Sequence, residues 1–186
     1  MVYAFLVALV AGFLTKLADS LHHPLSHAIG VLYGLVLGYL VAHDALVAVV
    51  FIPAVLANVL AGKIDSLPHV LGVAAFAVTA LYFSVPAFSM VFGFLCFLAA
   101  LADEKIHVNF FYPRPLLPAA ALLASFALVS VTPVLSMVLF DAGYFSGQRV
   151  LEKWRKSGRV FPQGGRPLPQ RRRTKTRTLK ARLSTA

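Results

Sequence analysis

Six long apolar runs, parted by short polar islands, constrain this chain more than any other feature. They lie near Val2 to Leu21, Leu25 to Ala42, Ala45 to Gly62, Pro68 to Phe83, Pro86 to Ala102, and Pro115 to Phe140. A helix needs about 20 apolar residues to cross the hydrocarbon core, somewhat fewer with flanking polar residues to compensate. Backbone groups left unpaired in lipid are not tolerated, and no alternating strand pattern is present, so each run predicts a helix. Hydrophobic residues make up 59% of the 186 and charged residues 13%, with a mean hydropathy of +0.80, which sets the chain outside the water-soluble class. The expectation is an all-α, polytopic transmembrane bundle of six spans, built from repeated hairpins.

Charge divides the chain further. Thirteen of the 17 Lys and Arg lie beyond Phe145, so the pI near 10.2 belongs to the C-terminal part. The composition predicts a bundle over 1–145, an interfacial amphipathic segment over 146–160 and a basic, largely disordered tail over 161–186. Val150, Leu151 and Trp154 share one side of the middle segment, near Arg149 and Lys153. By the positive-inside rule, the basic residues just past the sixth run place both termini in the cytoplasm of a multi-pass cell-membrane protein. The partners this implies are the bilayer, anionic headgroups held by the tail, and a second copy of the chain. Nucleic acid is disfavoured, because the Arg-rich end has no interleaved aromatics for base stacking.

The islands carry the chemistry. Asp19-Ser20-Leu21-His22-His23 returns as Asp65-Ser66-Leu67-Pro68-His69, and more loosely as Asp103-Glu104-Lys105-Ile106-His107. If all six runs cross, the islands after runs one, three and five share one face. Asp and His supply oxygen and imidazole donors for Zn, Mn or Fe, so Asp19, His23, Asp65, His69, Asp103 and His107 are the candidate metal ligands. Glu104 is the candidate general base, and Lys16 and Lys63 the candidate contacts to an anionic group. This points to a metal-dependent hydrolase or transferase acting on a lipid-linked or phosphate-bearing substrate.

Two other readings use the same residues. A small ion or solute transporter would run a water-accessible path from the islands toward Asn58 or Asp44, and a membrane scaffold would recruit a partner through its basic tail. A plainer account makes Lys16 with Asp19 and Lys63 with Asp65 ion pairs at helix ends, with Asp and Ser capping the next helix. Gly30, Gly34 and Gly38 repeat the GxxxG spacing and predict close helix packing inside the bundle. The lone Cys96 supports neither a disulfide nor a Cys-based metal motif. No Walker loop, GxSxG or HExxH occurs.

Overall fold

A computed structural model describes residues 2–21, 24–105 and 115–157. Seven helices follow one another: α1 (Val2–Ser20), α2 (Leu25–His43), α3 (Ala45–Leu60), α4 (Leu67–Phe83), α5 (Met90–Lys105), α6 (Leu116–Ala127) and α7 (Thr132–Lys156).

Local chemistry sets these ends. The single joint between α2 and α3 is Asp44, in extended backbone, whose carboxylate accepts from the Leu46 and Val47 amides and so caps α3. α3 stops where Gly62 adopts φ +69°, a left-handed turn in which Gly62 N–H bonds to Val59 O and Lys63 N–H to Asn58 O. The sixth apolar run is divided in the same way. Val129 takes φ 49°, Ser130 N–H bonds back to Ser125 O, and the chain restarts as α7 with Pro133 in its first turn, where a missing N–H costs nothing.

These stops correct the six-span expectation. Among the described residues two helices, Tyr3–Ser20 and Leu25–His43, are long and apolar enough to cross a membrane. α3 has 16 residues and α6 has 12, which reach about 24 Å and 18 Å against a hydrocarbon core of about 30 Å. α7 has 25 residues, but its C-terminal half is polar. The multi-pass cell-membrane placement, with both ends assigned to the cytoplasm by counting crossings, falls with the six spans. The all-α class stands.

Packing is organised by glycine. α2 and α4 run parallel, Gly30 against the Pro68 backbone, Gly34 against Gly72, and Gly38 against Phe76 and Thr79. The repeated GxxxG therefore serves contact within the chain, where the absence of a side chain lets two backbones approach. α1 and α7 pair in the same sense, Gly12 against Phe140, Gly143 against Leu9 and Gly147 against Lys16. α3 and α5 form a third parallel pair, with Pro53 beside Gly93 and Lys63 beside Glu104. Leu40, Val41 and Val47–Val50 fill the centre.

Much apolar surface stays uncovered. Leu81 is 79% exposed, Met90 76% and Phe126 75%, in company with Val78, Val91 and Phe94. Apolar exposure on this scale marks a surface that meets lipid or another protein.

Candidate functional site

The end of α1 meets the start of α4 in a chain of polar side chains. Asp19 Oδ1 bonds to His69 Nε2, and the second nitrogen of that ring, Nδ1, lies 3.1 Å from the Tyr33 hydroxyl. On the other side the Tyr144 hydroxyl donates to Asp19 Oδ2 at 3.0 Å. Lys16 Nζ stands 3.8 Å from the same carboxylate oxygen, donates to the Tyr144 hydroxyl at 3.3 Å, and lies 4.8 Å from the centre of its ring. Four helices, α1, α2, α4 and α7, are tied at one point. Tyr33 reaches His69 because its ring lies over Gly72, where a side chain would collide with it.

A second group forms where α3 and α5 end. Lys63 pairs with Glu104 at 3.2 Å, and Asp103, 6% exposed, accepts from the Leu116 and Leu117 amides at 3.0 and 2.7 Å. Asp103 thereby satisfies the open amides at the start of α6 from another helix. Asp141 of α7 is close enough to feel it: burial, with the Asp103 charge added, pushes the Asp141 carboxyl up to about 7.

The predicted site residues are thus distributed differently from their spacing. Asp19 and His69 meet across islands, whereas Asp65 is exposed and without a hydrogen bond or ion pair among the described residues. His23 and His107 lie outside the described residues. Among the described residues no three His, Cys, Asp or Glu side chains gather to hold a metal ion. The metal-dependent hydrolase or transferase expected from Asp19, His23, Asp65, His69, Asp103 and His107 is corrected accordingly. The donor atoms are committed elsewhere: both His69 nitrogens to Asp19 and Tyr33, both Asp103 oxygens to α6, and Glu104, the expected base, to Lys63.

At the opposite end of α1 a groove of about 640 Å³ opens between α1, α2 and α4. Leu6, Val7 and Val10 line it from α1, Leu35 and Val36 from α2, and Val78 from α4. Tyr3, Tyr39, Tyr82 and Phe83 stand at its end, with Thr79 as a hydroxyl in the wall. From Tyr3 to Asp19 the helix covers 16 steps, about 24 Å, so the groove and the polar chain are separate places. Sequence reading missed the groove, because each wall looks like one more apolar helix face. The aromatic residues closing the ends of α2 and α4 were its legible sign.

No family model, curated protein or solved structure matches this chain.

Proposed function

We propose that this chain is a membrane-associated binding protein that holds a hydrocarbon chain of a lipid-like molecule in the groove between α1, α2 and α4. The observation that carries this reading is the groove itself, about 640 Å³ with no charged residue in its lining. That volume lies within the range of small-molecule sites. Two of its three walls are the helices long enough to cross a membrane, so a lipid chain has direct lateral access. Rim residues Leu6 at 61% exposure and Val78 at 67% continue the groove into the uncovered apolar surface.

The polar chain from Tyr33 to Lys16 has a supporting role in this reading. It fixes α4 and α7 against α1 and α2 at the far end and so sets the width of the groove. Exposed Arg149, Lys153 and Lys156 on α7 offer contacts to anionic headgroups, worth about 1 kcal/mol each near a charged surface.

Photolabelling of the full chain in neutral nanodiscs with a diazirine-bearing fatty alcohol tests the proposal. Labelled peptides are expected from Leu6–Val10, Leu35–Val36 and Val78, and Val36→Trp, which fills the groove, is expected to abolish them. Equal labelling of the Met90–Leu98 face, unaffected by Val36→Trp, would refute it.

A further inference from the structure

We infer that the molecule held in the groove carries a positively charged head, an amine or quaternary ammonium, seated among Tyr3, Tyr39, Tyr82 and Phe83. This rests on the reading that the groove holds a hydrocarbon chain, and adds what lies at that chain's polar end.

The four rings come from three helices. Tyr3 and Tyr39 are 6.5 Å apart at 87°, Tyr39 and Phe83 5.5 Å at 89°, and Tyr82 and Phe83 5.0 Å at 89°. Successive rings stand perpendicular, so their π faces look in different directions around the groove's end, and the His43 ring covers one face of Tyr39 at 4.0 Å between centres. A cation within about 6 Å of such faces is attracted by each ring quadrupole, most strongly where water is excluded. An anion meets the opposite field.

Backbone and side-chain charge at this end act in the same direction. α2 ends at His43 and α4 at Phe83, so the negative ends of two helices lie beside the rings, with Tyr39 O already bonded to the His43 ring and Leu81 O to Ser84 N–H. α1 brings one opposing N-terminus. The start of α3, next in the chain after His43, is already covered by the Asp44 carboxylate. Among the described residues the Lys and Arg side chains lie toward the other end: Lys16 with Asp19, Lys63 with Glu104, and Arg149, Lys153 and Lys156 on α7 beyond Tyr144. Among the described residues a cationic head finds ring faces, carbonyls and tyrosine hydroxyls at this end, whereas an anionic head would have only the His43 ring and the amides at the start of α1.

Three amphiphiles with the same tail separate head from chain: tetradecyltrimethylammonium, tetradecanol and tetradecanoate. Each is titrated into the purified full chain in dodecyl maltoside, and the apparent Kd is read from the rise in unfolding temperature. The ammonium compound is expected to bind roughly tenfold tighter than the alcohol, the size of one partly desolvated cation–π contact, and tetradecanoate more weakly than either. Tyr82→Leu changes a side chain that is 80% exposed and is expected to fold normally while bringing the ammonium compound's affinity down to that of the alcohol measured on the same variant. Phe83→Leu is expected to do the same.

Equal affinities for the three, or a preference for tetradecanoate, would overturn the assignment of the head while leaving the chain in the groove. Absence of any shift, unchanged in Val36→Trp, would remove the groove reading and this inference together.

Discussion

Gly38→Ala separates helix packing from helix propensity, because the two predict opposite signs. In an isolated helix alanine is better than glycine by about 1 kcal/mol, so propensity alone makes the variant more stable. In the fold, an added Cβ would stand 2.7 Å from the Phe76 carbonyl oxygen and 2.8 Å from Thr79 Cβ. Ordinary carbon–oxygen contacts begin near about 3.3 Å, so α2 and α4 must part by roughly 0.6 Å. A gap of that size forfeits about a quarter of the dispersion energy of the atoms facing each other, and overpacked sites of this kind cost about 1–3 kcal/mol. Net of the propensity gain, the expected loss is about 0–2 kcal/mol, a fall in unfolding temperature of up to roughly 8 °C for a chain of this length. Thermal unfolding of the full chain in dodecyl maltoside measures it. Ala28→Gly on the exposed face of the same helix serves as the control, expected to lose about 1 kcal/mol through propensity alone. A Gly38→Ala protein that shows the full propensity gain, melting roughly 2–4 °C above the parent, would refute the parallel packing of α2 on α4.

Three further outcomes follow from the polar groups. Asp19→Ala and His69→Ala are expected to be non-additive by about 1–3 kcal/mol in a double-mutant cycle, since each removes the other's partner; additive losses would mean that the contact contributes nothing. Asp103→Ala leaves the Leu116 and Leu117 amides without their acceptor and is expected to cost about 2 kcal/mol, detected as faster hydrogen exchange in the first turn of α6. Asp141, pushed up to about 7, stays protonated in the fold while the unfolded carboxyl ionises near 3.8. The folded state is therefore favoured below pH 4 and loses stability progressively as pH rises to 7, by about 4 kcal/mol in all. Asp141→Asn is expected to flatten that part of the stability profile, and an unchanged slope would contradict the raised value.

The helical class, the glycine face of α2 and the existence of polar islands were legible because each depends on residues near one another in sequence. The partners were not. Asp65 and His69 have helix-like spacing, yet a new helix begins between them at Leu67 with Pro68 in its first turn, and His69 turns to Asp19, 50 residues earlier. Tyr33 became a partner of His69 only through Gly72, a position that looks featureless until α2 and α4 are laid side by side. The number of spans was over-read for a related reason. Hydrophobic runs do not reveal a left-handed turn at Val129, and a residue with a branched Cβ is the last one expected there. The site at Asp103 was read as chemistry, and it is a cap; an aspartate thirteen residues before the start of α6 carries no local sign of that role.

The parallel zipper of α1 with α7 has a consequence for biosynthesis. Gly12 leaves the ribosome well over a hundred residues before its neighbour Phe140, a delay of roughly ten seconds or more at ordinary elongation rates. Throughout that interval the first helix shows an unfilled small-residue seam to whatever surrounds it. Until then α2, made directly after it, is the neighbour the chain itself can offer the first helix.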